Sequence, residues 1–250
     1  MGLKRSIADA AEKLLGVKIV KPSRLPMLFE ERHLERFLDR FEVDCVFDVG
    51  ANAGQYATSL RERIGFRGHI ISFEPNPDVA IELRAKAAPD SQWHVEELAL
   101  DIVKGTRQFN VMAGNQFSSL HRPDNSSIDV FANVNRIKKT ITVDASTVLL
   151  ELNRWQSLLN FKRPFLKMDT QGHDMAVAQG AGDSICKFVG LQSELSIRSI
   201  YEGSTDFSRS LDYYQSRGFV LSAFVPNNEG HFPDLVEIDC IMYNRAFARR

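Results

Sequence analysis

Four charged side chains close apolar runs in this chain, and their types fit one small ligand. Asp48 follows Val46-Phe47, Glu74 follows Ile70-Ile-Ser-Phe73, and Lys167 and Asp169 bracket Met168 at the end of a run that begins at Pro164. Between Asp48 and Gln55 the chain reads Val49-Gly50-Ala51-Asn52-Ala53-Gly54, a strand-to-helix turn. Gly50 and Gly54 carry no Cβ, so backbone N–H groups of this turn can come close to a ligand. An acid at the strand tip, Asp48, suits an ammonium group, and the turn's donors suit a carboxylate. About twenty residues beyond the turn, Glu74 stands where an acid accepts hydrogen bonds from a ribose diol. Charge assistance strengthens such bonds.

Pro75 fixes the chain so that the Glu74 carboxylate faces the cleft, and Asn76 suits the cap of the helix that follows. Glu97-Leu98-Ala99-Leu100-Asp101 comes after the next short run, with Leu98 and Ala99 as an apolar wall for a base. An amino-acid tail, a ribose and an adenine together describe S-adenosylmethionine. A dinucleotide fingerprint needs glycine at 50, 52 and 55, and the chain has Gly50, Asn52 and Gln55. The expected cofactor site is Asp48, Gly50, Ala51, Asn52, Gly54, Glu74, Pro75, Asn76, Leu98, Ala99 and Asp169. A nicotinamide-dependent oxidoreductase and a non-catalytic nucleoside-binding protein of the same fold are the alternatives.

The expected reactive rim is Lys167, Asp169, His173 and Glu194. Alternation along a strand aims Lys167 and Asp169 to one side. A hydroxyl acceptor needs a base or a nearby cation. Lys167 supplies the cation, and Asp169 or His173 the base. Lys167 and Asp169 can also simply pair with each other, and His173 can be an inert residue at a helix start. Glu194 can bind the acceptor, orient His173, or join Asp169 around Mg²⁺. No tight acidic cluster favours the metal. Tyr201, Arg198, Gln116, Ser118 and Ser119 are further contacts or plain loop residues. Trp93 and Trp155 read as packing, and His33 as solvated.

These residues need a frame that brings strand tips together. Residues 1–43 read as a helical extension, with Ile7, Ala8, Ala11, Leu14 and Leu15 on one amphipathic face and a second helix over 28–41. From residue 44 to 250 strands and helices alternate, which implies a parallel sheet covered on both faces. Strands are expected over 45–49, 69–73, 93–95, 164–168, 188–195, 219–225 and 236–243. Helices are expected over 55–63, 77–87, 174–179 and 207–216. The last two strands have no helix between them and should pair antiparallel. Segments 106–112 and 139–143 also alternate as sheet. Residues 114–138 read as a long loop above the strand tips.

The chain has 250 residues and a net charge of −1, which favours no polyanion such as nucleic acid. Cys45, Cys186 and Cys240 form no metal-type spacing, and their odd number fits a reducing, cytoplasmic setting. No apolar run reaches the ~18 residues of a membrane span. The first six residues match a myristoylation pattern, Met-Gly-x-x-x-Ser, that also arises by chance.

Several separated motifs give the chain a resemblance to the FkbM family of S-adenosylmethionine-dependent methyltransferases. They are Asp48-Val-Gly-Ala-Asn-Ala-Gly54, Phe73-Glu-Pro-Asn-Pro77, Ala99-Leu-Asp101 with Gly105 and Phe109, and Lys167-Met-Asp-Thr-Gln-Gly-His-Asp174. Gln192-Ser-Glu-Leu195, Tyr201-Glu-Gly203 and Gly218-Phe219 follow in order. The family's fourth-strand motif ends in Glu where this chain has Asp174. The resemblance implies a class I methyltransferase fold. That fold is an α/β, Rossmann-like three-layer sandwich with a seven-stranded, mostly parallel sheet in the order 3-2-1-4-5-7-6 and strand 7 antiparallel. It also implies O-methylation of a small hydroxylated acceptor, commonly a sugar or other natural product. The N-terminal helices lie outside these motifs and are a candidate surface for a homo-oligomer.

Overall fold

The structure is a computed structural model that describes residues 14–15, 22–126, 131–226 and 233–248. The expected face at Ile7, Ala8 and Ala11 and the Met-Gly-x-x-x-Ser pattern lie outside the described residues, as do parts of the loops at 114–138 and 226–233.

In chain order the strands are β1 (Cys45–Val49), β2 (His69–Phe73), β3 (Trp93–Glu96), β4 (Ala99–Leu100), β5 (Gly105–Met112), β6 (Ile137–Ser146), β7 (Pro164–Met168), β8 (Gly190–Ser196), β9 (Phe219–Pro226) and β10 (Glu237–Asn244). The helices are α1 (Leu25–Arg40), α2 (Gln55–Ser59), α3 (Pro77–Ala87), α4 (Val148–Leu159), α5 (Asp174–Gln179) and α6 (Phe207–Ser216).

β1 and β7 are buried at every position, which is the burial a central strand covered on both faces requires. The main sheet runs β3-β2-β1-β7-β8-β10-β9, and β10 is antiparallel to both β8 and β9. This is the expected 3-2-1-4-5-7-6 order. One core lies on the α4–α5 side, around Phe47, Phe73, Leu166 and Leu191. A second lies on the α1–α3 side, around Leu34, Phe37, Val46, Ile70 and Phe165. Each large apolar side chain so buried contributes roughly 1.5–3 kcal/mol. At Gly190 a Cβ would lie 2.4 Å from the Phe37 ring, so glycine there lets α1 press directly on β8.

Register explains the polar centre of the sheet. Ser72, Asp48 and Lys167 are partners across β2, β1 and β7, and Lys167 is the partner of Gln192 on β8. Laterally paired residues of parallel strands point to the same face. A row of four polar side chains therefore forms at the carboxyl ends, where strand order reverses and such folds bind ligands.

Segments 106–112 and 139–143 are sheet as expected, within β5 and β6, while α4 had no expected counterpart. β5 and β6 do not join the main sheet. With β4 they form a separate three-stranded sheet in the order β4-β6-β5. Alternation identifies a half-buried strand but not the sheet it enters. Residues 144–163 carried no expected element, yet Thr147 caps α4 through a bond from the Leu150 N–H. Val148, Leu152 and Trp155 bury its inner face. His33, read as solvated, is half-buried and hydrogen-bonds the Ser222 hydroxyl at 2.9 Å.

Candidate active site

A cavity of about 600 Å³ opens at the carboxyl ends of β1, β2, β7 and β8. Its volume is in the range of small-molecule sites. One end is formed by the turn after β1 and by Glu74, Pro75 and Asn76. Ala99, Leu100 and Phe109 of the small sheet close it, with Gln116 and Ser118 from the long loop. The other end holds Lys167, Asp169, His173 and Glu194.

Glu74 is the best-defined group at the first end. Its Oε2 accepts from the Asn52 N–H at 2.9 Å and its Oε1 from the Asn76 N–H at 2.8 Å. Burial drives its pKa up to about 7, against the pull of those two N–H bonds. Asn76 also caps α3, accepting from the Asp78 N–H at 3.2 Å. Asn52 adopts a left-handed backbone, φ 48°, a strained state that such sites tolerate.

The turn does not work as its glycines suggest. At Gly50, φ 75°, a Cβ would lie 1.9 Å from the Asp169 carbonyl oxygen. At Gly54 a Cβ would meet Leu83 at 2.8 Å. Both glycines are required by neighbouring protein. The N–H groups of Gly50 and Ala51 bond to the Phe73 carbonyl, and that of Ala53 to the Asn52 side chain. Gly54 does not line the cavity.

Asp48 also sits apart from its expected place. It is fully buried and absent from the cavity wall. Its Oδ2 accepts from the Ser72 hydroxyl at 3.1 Å, and its Oδ1 lies 3.3 Å from Lys167 Nζ. The lateral register of β1 and β7 turns it into Lys167 instead of toward an ammonium ligand. Glu74 faces the cavity; Asp48 stands behind it.

Lys167 Nζ is also 3.5 Å from Asp169 Oδ2 and 5.2 Å from the Tyr56 ring centre. Burial alone would lower its pKa, but Asp169 and Asp48 outweigh burial and raise it. Lys167 is therefore a permanent cation and cannot serve as a base. Asp169 presents its carboxylate to the cavity with 41% of the side chain exposed. Its Oδ1 accepts from Gln171 Nε2 at 2.9 Å.

Gln171 is a hub that sequence reading passed over. It has a left-handed backbone, φ 56°, and its Nε2 also donates to Glu194 Oε2 at 2.9 Å. Tyr201 donates to its Oε1 at 2.8 Å, and the Ser119 hydroxyl to its carbonyl at 2.7 Å. Tyr201 and Ser119 thus support the site from behind the wall. Arg198 pairs with Asp234 away from it. The signal for Gln171 was a polar residue beside Gly172, a pair suited to a left-handed turn.

Both ring nitrogens of His173 are engaged. Nε2 lies 2.9 Å from Asp101 Oδ1 and Nδ1 3.0 Å from His121 Nε2. Burial alone would raise the Asp101 carboxyl; the His173 and Ile102 bonds and the Arg107 guanidinium overcome it and hold the group below its ordinary range. Burial, then His173, lowers His121. With both ring nitrogens already bonded, His173 is poorly placed to take a proton from an acceptor, although it lines the cavity.

Burial, then Glu237, Asp169, Asp239 and Asp174, push the Glu194 carboxyl well above its ordinary range. Asp174 fixes its position. Asp174 Oδ2 accepts from the Glu194 N–H and the Ser193 hydroxyl, both at 2.9 Å, while its Oδ1 holds the Thr170 N–H and hydroxyl. Among the described residues no group of three or more His, Cys, Asp or Glu side chains is placed to hold a metal ion.

An adenosyl group fits the first end on its donor set. Each Glu74 oxygen takes one backbone N–H and keeps acceptor capacity for a diol, beside the apolar wall of Leu98, Ala99 and Phe109.

The sequence profile described as Methyltransferase FkbM domain matches residues 48–221. No curated protein matches the chain. Among solved structures, the chain is similar to the methyltransferase FkbM from Methylobacillus flagellatus KT, with 15% identity and a TM-score of 0.49. That match covers 80% of this chain and 44% of the other, so the chain spans under half of that protein's length. It is also similar to the S-adenosylmethionine-bound magnesium protoporphyrin IX methyltransferase of Synechocystis PCC 6803, with 8% identity, 96% of each chain covered and a TM-score of 0.48.

Proposed function

Because this chain belongs to the FkbM methyltransferase family, we propose that it methylates a hydroxyl of a small acceptor, a sugar or another natural product. The cofactor is S-adenosylmethionine, which supplies an electrophilic methyl group when bound. Glu74 binds the ribose hydroxyls, and Ala51, Asn52, Pro75, Asn76, Leu98 and Ala99 enclose the nucleoside. Asp169 takes the acceptor's hydroxyl proton on its carboxylate, because it is exposed to the cavity while His173 is engaged at both nitrogens. Lys167, held charged, stabilises the oxygen as that proton leaves. Gln171 and Glu194 orient Asp169 and the acceptor. Holding the groups in line contributes several kcal/mol, within the roughly 7–11 kcal/mol that positioning can supply.

One observation carries this reading: Glu74 and the Lys167–Asp169 pair open into the same cavity. The free thiols of Cys45, Cys186 and Cys240 support a cytoplasmic setting, and no described helix is long and apolar enough to cross a membrane. Residues 1–43 are our proposed extension to a methyltransferase domain of 44–250, and the half-exposed Leu25 and Phe29 of α1 support a role in homo-oligomers. Transfer of tritiated methyl from S-adenosylmethionine to a panel of sugars and hydroxylated natural products tests the reaction. Label on an acceptor oxygen that Asp169→Asn abolishes supports it. Label on nitrogen, or transfer unaffected by that change, contradicts it.

A further inference from the structure

The adenosine half of the cavity comes from within residues 48–221, the span shared with the family. The opposite half holds Lys167, Asp169 and Glu194 from the same span, and elements outside that span complete its wall. α1 brings Met27, Glu30 and Leu34, and β10 brings Glu237 and Asp239. That wall lies outside the matched span, and it borders the space left for the acceptor.

Glu30 is its most informative residue. Its Oε1 accepts from Gln192 Nε2 at 2.7 Å, and the same nitrogen lies 3.4 Å from Asp239 Oδ2. Gln192 is held in turn by the Tyr56 hydroxyl at 3.1 Å. Two carboxylates from different elements thus meet at one neutral amide, which supplies donors but no charge. The next acid on α1, Glu31, is answered by Arg63 at 2.6 Å and Arg24 at 3.6 Å. Among the described residues Glu30 has no cation within ion-pair distance although it faces the cavity, and Lys167 acts on it only from farther away. A carboxylate taken out of water is stable when a cation meets it.

We propose that Glu30 selects the acceptor, and that the acceptor carries an ammonium group beside the hydroxyl to be methylated, as an amino sugar or amino alcohol does. This rests on reading the cavity as a methyltransferase site. The ammonium sits between α1 and β10 against Glu30 and turns the neighbouring hydroxyl toward Asp169. Burial raises the Glu30 carboxyl, and an arriving cation favours its charged form.

The test is calorimetry on the full chain saturated with S-adenosylhomocysteine, at a pH where amines are charged. Glucosamine, glucose and N-acetylglucosamine are the probes. Glucosamine is expected to bind at least about tenfold more tightly than the two neutral sugars. In the isosteric Glu30→Gln the preference disappears while S-adenosylhomocysteine still binds as in the wild type. Equal binding of the three sugars, no glucosamine binding at tens of millimolar, or a preference that survives Glu30→Gln overturns the inference and leaves the cofactor reading standing. Failure of S-adenosylhomocysteine itself to bind overturns both.

Discussion

Lys167 Nζ stands 3.3 Å from Asp48 Oδ1, joining two strands through a fully buried carboxylate. Removing one partner of such a pair leaves an uncompensated charge. Lys167→Met should therefore destabilise the fold by about 3–5 kcal/mol, read from urea unfolding. A loss below about 1 kcal/mol would mean that Asp48 does not depend on Lys167.

Asp169→Asn removes the proposed proton acceptor and keeps the shape of the site. With an acceptor found in the methyl-transfer panel, kcat should fall about 10²–10⁴-fold. The affinity for S-adenosylhomocysteine should change by no more than a few fold. An unchanged kcat would move the base elsewhere.

Gly50→Ala would place a methyl group 1.9 Å from the Asp169 carbonyl oxygen at a φ of 75°. Strain and overpacking together should cost about 2–5 kcal/mol, seen as a marked fall in Tm. A Tm within a degree of the wild type would show that β1 and β7 separate easily there.

These positions also show how far the sequence could be read. The strands at 45–49, 69–73 and 164–168 were legible from apolar runs closed by Asp48, Glu74 and Asp169, because a central parallel strand is buried on both faces. α3 and α6 were legible from Asn76 and Gly218 at their ends. The direction of Asp48 was not legible, because it depends on the lateral register of β1 against β7. The reason for Gly50 was hidden likewise, since the atom it avoids belongs to Asp169, just past the end of β7 and more than a hundred residues away. Glu30 and Gln192 meet only once α1 lies on β8, a contact set by Phe37 against Gly190. The partners of His173 come from β4's exit and the long loop, and no spacing in the chain links them.

Glu74 has its pKa raised to about 7 by burial, and ribose hydroxyls favour the ionised form. Binding should then release a proton below pH 7. Affinity for S-adenosylhomocysteine should rise with pH, at most about tenfold per unit, and level off above about 7. In Glu74→Gln the dependence should vanish. A flat profile in the wild type would separate Glu74 from cofactor binding.

The central claim is that Glu74 holds the cofactor's ribose. Isothermal calorimetry with S-adenosylhomocysteine, on the wild type and Glu74→Ala at pH 8, tests it most directly. Loss of two charge-assisted hydrogen bonds, at roughly 1.5–3 kcal/mol each, predicts binding weakened by about a hundredfold or more in the variant. Equal affinity in the two proteins would contradict the account.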